Sequence, residues 1–126
     1  MWFLFFQDLQ LIYKFRHILY QILRYIDVSG QVNHVATVLC ELVEKLNAEQ
    51  LAKLVEQDEV ETSIAQRLGC LLETLALPIN LAPLENSLKN KKPIKRWLVT
   101  KGQRNIISQN KKWRILVNEI VEPDDL

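Results

Sequence analysis

The spacing of apolar residues changes once along this chain, and that change limits the folds open to it. Up to about residue 76 apolar side chains return every three or four positions, which buries one stripe of a helix. Beyond Pro78 the surviving apolar runs are short and rich in β-formers, which suits strands. Helices therefore come first and any sheet comes last. Residues 9–26 carry Ile12, Phe15, Leu19, Ile22, Leu23 and Ile26 at helical steps, and Asp27-Val28-Ser29-Gly30 ends that segment. Asn33 is placed to cap a second helix, whose stripe is Val35, Val38, Leu39, Leu42 and Leu46. Asn47-Ala48-Glu49-Gln50 has capping-box spacing and opens a third, with Leu51, Leu54 and Val55 inward. A fourth runs from about Val60 to Ala76 on Ile64, Leu68, Leu71, Leu72 and Leu75. Gly69 inside it costs roughly 1 kcal/mol against alanine, a cost that close approach of a neighbouring helix would explain.

After Pro78, Asn80 to Leu88 reads as one more short helix, with Pro83 tolerated in its first turn. Lys89-Asn90-Lys91-Lys92-Pro93 breaks the chain. Two strand-like runs follow, 94–100 and 112–118, joined by a loop containing Gly102 and two asparagines. A lone two-stranded ribbon is marginal, so this hairpin must pack on the helices or gain a further strand. The expected class is α+β: four to five helices followed by a small C-terminal β-hairpin or sheet. At 126 residues, with 48% hydrophobic and 25% charged, this is one globular domain's worth of chain.

Charge is segregated in a way that the net value of +1 conceals. Lys89, Lys91, Lys92, Lys95, Arg96, Lys101, Arg104, Lys111, Lys112 and Arg114 lie in a stretch without an acidic residue, while residues 1–88 hold six basic and eleven acidic groups and residues 115–126 hold four acidic ones. Such a field attracts phosphate backbones or an acidic partner surface. A solvated hairpin facing the chain's own acidic helices is the competing account. Candidate nucleic-acid contacts are Lys91, Lys92, Lys95, Arg96, Lys101, Arg104, Lys111, Lys112 and Arg114. Trp97 and Trp113 lie among them, where indoles stack on bases or, more commonly, pack across strands.

Other chemistries find little support. The apolar start, Met1 to Phe6, is interrupted by Gln7 and Asp8, whereas a spanning helix needs roughly 20 apolar residues and a secretory signal a basic lead and a cleavage site. No membrane partner is expected. Cys40 and Cys70 are too few for a disulfide framework and lie in apolar helical patterns, which suits a cytoplasmic protein. His17 and His34 have no partners at zinc spacing, and no phosphate-binding glycine motif or nucleophile elbow is present. Asp58, Glu59 and Glu61 cluster at a helix start, where negative charge favours the helix dipole. The expectation is a non-enzyme with no cofactor and no metal.

Four blocks carry a resemblance. Leu23-Arg24-Tyr25, then Ser29-Gly30-Gln31-Val32-Asn33-His34-Val35-Ala36-Thr37-Val38-Leu39 leading to Glu41-Leu42, then Gln66-Arg67-Leu68-Gly69-Cys70-Leu71-Leu72-Glu73, and Asn110-Lys111-Lys112-Trp113-Arg114-Ile115-Leu116-Val117-Asn118, follow in order. Together they resemble the C-terminal domain of AbiEi-family antitoxins of type IV toxin–antitoxin systems. The match spans residues 18–126 and leaves 1–17 as an atypical N-terminal extension. Cys70 stands where the family has an aromatic residue, and the loop before Lys101 lacks the family's proline turn. The resemblance implies an antitoxin effector domain that opposes a nucleotidyltransferase toxin without a stable complex. It also implies a transcriptional regulator whose N-terminal winged helix-turn-helix, the main DNA reader, is missing, so that the chain reads as truncated or split. An autonomous nucleic-acid-binding module built on the basic segment is the alternative, and a small enzyme ranks last because no acid, base or nucleophile pair can be assembled.

Overall fold

The computed structural model describes residues 32–42, 48–58 and 60–122. The helix expected over 9–26, the N-terminal extension, His17, Asn47 and Glu59 lie outside them. Among the described residues four helices, α1 (Val32–Leu42), α2 (Ala48–Glu56), α3 (Thr62–Thr74) and α4 (Ala82–Lys89), precede three short strands, β1 (Arg96–Trp97), β2 (Ser108–Asn110) and β3 (Ile115–Val117). The fold is α+β with its strands at the C-terminal side.

The helical stripes bury as their spacing requires. Leu51, Leu54 and Val55 of α2, Leu68, Leu71 and Leu72 of α3, and Leu84 and Leu88 of α4 join Val32, Val35 and Leu39 of α1 in one core. α2 packs along α4, and α3 bridges α4 and β3. Pro83 sits in the first turn of α4, where no backbone donor is lost, and Asn80 Oδ1 accepts the Ala82 amide at 3.1 Å. Asn33 does not cap α1, because the helix is already formed at Val32. Its Oδ1 instead accepts the Glu122 amide at 2.9 Å and ties the segment after β3 to the first described helix.

The strand pairing differs from a simple hairpin of the two apolar runs. The order is β1-β3-β2, with β1 parallel to β3 and β2 antiparallel to it. The tight hairpin is thus β2–β3, closed by Lys111–Arg114, while the first run supplies an edge strand. The reason lies in the second half of that run. Leu98 and Val99 are fully buried and leave the ladder to enter the core, after Leu98 N has donated to Leu116 O at 2.9 Å. Asn118 then holds the departing chain: Oδ1 accepts Val99 N at 3.0 Å, and Nδ2 donates to Val99 O at 2.9 Å and to Gln103 O at 3.0 Å. A buried asparagine with both ends satisfied stabilises a loop that has no ladder of its own.

Candidate nucleic-acid interface

The basic segment is organised around one indole. The turn from β2 to β3 exposes Lys111, Lys112 and Arg114 and buries Trp113 between them, to 1% exposure. The ring lies against Gly69 of α3, where a Cβ would sit within 2.7 Å of indole carbons, and its Nε1 donates to the Glu73 carboxylate. The partner that glycine admits is therefore this ring and not a neighbouring helix. The register sets Trp97 opposite Leu116, so the two indoles are not a cross-strand pair either. Trp97 is half-buried, with the Arg104 guanidinium 4.9 Å above its ring, the geometry of a cation–π contact.

Gln66 completes the support. Its side chain is wholly buried; Nε2 donates to Ile94 O at 2.8 Å and to Trp113 O at 3.0 Å, and Oε1 accepts Arg96 Nε at 3.0 Å. One amide thus joins α3 to the chain entering β1 and to the turn leaving β2. Arg67, next along, donates from Nε to Trp97 O at 3.0 Å. Neither Gln66 nor Asn118 was among the residues that charge and periodicity single out. For Gln66 the signal is its phase, three and four positions before the buried Gly69 and Cys70.

The candidate cations divide by what they touch. Lys91 is bound to Asp58 at 2.6 Å and to the Glu56 carbonyl at 3.3 Å, Lys112 lies 3.6 Å from Glu73, and Lys89 lies 3.9 Å from Glu85. Arg96 is committed to Gln66 and Arg104 to Trp97. Lys101 is exposed on the loop after β1. Lys92, Lys95, Lys111 and Arg114 form no ion pair among the described residues, and they surround two depressions. The larger, about 690 Å³, is walled by Lys89, Lys92, Lys111, Lys112 and Arg114 over Leu88, Pro93 and Ile94, with Glu85 its one acid. The smaller, about 300 Å³, lies between Lys95 and the same Lys111 and Arg114, over Ile115 and Leu116. Six cations thus meet on one face.

No family model, curated protein or solved structure matches this chain.

Two residues of this face, Lys92 and Arg114, hold left-handed backbone, with φ of 49° and 54°. Side chains with a Cβ avoid that region, at a cost of roughly 1–2 kcal/mol each. Lys92 also precedes a proline, which narrows its choices further. Away from this face, burial pushes the Cys70 thiol up to about 11, with the nearby Glu73 charge adding to the rise and hydrogen bonding to Thr74 and Asn110 opposing it. That thiol is a packed core group. Among the described residues no three His, Cys, Asp or Glu side chains converge to hold a metal ion, and no helix is long and apolar enough to cross a membrane.

Proposed function

We propose that this chain is an antitoxin effector domain of the kind its four sequence blocks resemble, opposing a nucleotidyltransferase toxin, and that its working surface is the basic face, which takes a nucleic-acid backbone. The observation that carries this reading is the meeting of two of those blocks. The Gln66–Glu73 segment and the Asn110–Asn118 segment lie 47 residues apart at Gln66 and Trp113, yet they join through the Gln66 amide, the Gly69–indole contact and the Trp113–Glu73 bond. Gln66 and Trp113 of that joint also line the larger depression, which five cations wall. A surface built this way binds by charge and shape, with no bond-making chemistry required of it.

Co-expression with a nucleotidyltransferase toxin of a type IV system tests the proposal. The full chain restores growth, a version beginning at residue 18 does no worse, and the triple variant Lys111→Gln, Lys112→Gln, Arg114→Gln restores it less at equal soluble expression. A folded wild-type product that leaves growth arrested sinks the antitoxin reading. Binding to DNA or RNA without rescue favours the alternative, an autonomous nucleic-acid-binding module.

A further inference from the structure

The two depressions share a wall. Lys111 and Arg114 border both, with Lys92, Pro93 and Ile94 on one side and Lys95 and Leu116 on the other. A polyanion that only lies along a surface needs cations and no apolar floor. Here each depression has one: Ile94 is 61% exposed, Pro93 and Leu116 are half-buried, and cations rim them all. Ile94 is also held in place, because its carbonyl accepts from the buried Gln66 amide. Its exposure is fixed by a core hydrogen bond.

Duplex DNA cannot use such floors. Its bases are stacked inside, and what it offers a surface of this kind is a convex line of phosphates. A single strand offers phosphates with unstacked bases between them, and those bases gain by leaving water for apolar or aromatic side chains. From the shared ridge and the two floors we infer that this face is a track for single-stranded nucleic acid: a phosphodiester sits on Lys111 and Arg114, one base rests on Pro93 and Ile94, and its neighbour rests on Leu116. The volumes agree with this division, since about 690 Å³ is within the range of pockets that take a whole small ligand and about 300 Å³ is at its lower edge. The inference rests on the basic face being a nucleic-acid surface and adds which form of nucleic acid it takes.

The test is fluorescence anisotropy on the full chain with a labelled oligothymidylate of about a dozen residues, a site size usual for such surfaces, and with a duplex of equal length. The single strand binds more tightly at the same salt. Ile94→Ser, at an exposed position with no fold to lose, weakens single-strand binding about three- to ten-fold, less than an aromatic stacking partner would, and leaves duplex binding unchanged. Lys111→Gln weakens both. Equal affinity for the two forms, or indifference of the single strand to Ile94→Ser, overturns the track and leaves a backbone surface standing. Thymidine monophosphate competing as well as the strand overturns it in favour of a single nucleotide pocket. No binding of either form at low salt removes the track and the nucleic-acid surface together, while the growth assay still judges the antitoxin reading.

Discussion

Gly69 has no room for a methyl group. Alanine there gains about 1 kcal/mol of helix propensity but drives its Cβ into the Trp113 ring, which Glu73 and Gln66 prevent from retreating. Overpacking of this kind costs roughly 1–3 kcal/mol or more, so Gly69→Ala lowers the midpoint of a urea melt. A double-mutant cycle with Trp113→Leu isolates the contact: alanine is harmful with the indole present and helpful with it gone. Equal effects in both backgrounds would falsify the placement of the ring. Sequence reading found the glycine and its cost, but assigned the close approach to a helix, because nothing in local spacing reports an indole 44 residues further on. Cys70 is the second residue with a measurable signature. At 1% exposure it reacts with iodoacetamide far more slowly than the half-buried Cys40. Its folded-state value of about 11 stands above the 9.0 of an open thiol. The folded chain therefore keeps a proton that the unfolded chain releases as pH rises past 9. Stability from this group is complete below that pH and falls by roughly 2–3 kcal/mol as pH approaches 11. Cys70→Ala loses that part of the alkaline decline, and a melt series at stepped pH measures the difference.

At the scale of elements, the turn between β2 and β3 is an anchor and a display: one side chain goes in and three cations point out. Its backbone is strained at Arg114, and the chain entering the sheet is strained at Lys92. Glycine at either position removes the Cβ clash and returns up to about 1 kcal/mol of stability, after allowing for the greater freedom of glycine in the unfolded chain. The same substitutions delete a cation from the rim of the larger depression. Lys92→Gly and Arg114→Gly therefore raise the melting temperature and lower nucleic-acid affinity together. Loss of stability in both would show that the side chains, and not the binding surface, are what the strain supports. Helices α2, α3 and α4 were legible because each carries an amphipathic stripe that answers to local rules alone. β1 and β3 were legible as β-formers and not as partners, whereas β2 lies in the segment that reads as their connecting loop. What removes Leu98 and Val99 from the ladder is a buried asparagine 19 residues away, and what makes β1 a parallel edge is the burial of that pair. Long-range burial chose the register, and short runs do not record it.

For the whole molecule, charge segregation was visible in the composition, yet its effective strength was not. Of the ten cations between Lys89 and Arg114, Lys91, Lys112, Lys89, Arg96 and Arg104 have internal company, so the proposed nucleic-acid surface draws on a smaller set. About three to five contacts are expected, each worth a slope of about −0.9 in log affinity against log salt on duplex DNA, with affinity near the nonspecific range of roughly 10⁻⁴–10⁻⁶ M at physiological salt. The triple glutamine variant at Lys111, Lys112 and Arg114 flattens that slope by about two contacts' worth, since Lys112 already pairs with Glu73, while the melt stays within about 1 kcal/mol because all three side chains are exposed. An unchanged slope would assign these cations to solvation. The strand order carries one more consequence, which concerns synthesis. β3 is the central strand and the last of the three to leave the ribosome, so β1 and β2 have no pairing partner until it arrives. Until then α3 presents Gly69 and Gln66 with nothing to hold, and the cations from Lys92 to Arg114 travel on a segment with no sheet to place them. A premature stop ahead of Ile115 would therefore remove the whole sheet and the surface it positions, while the codons for every strand-pairing residue of β1 and β2 were read intact.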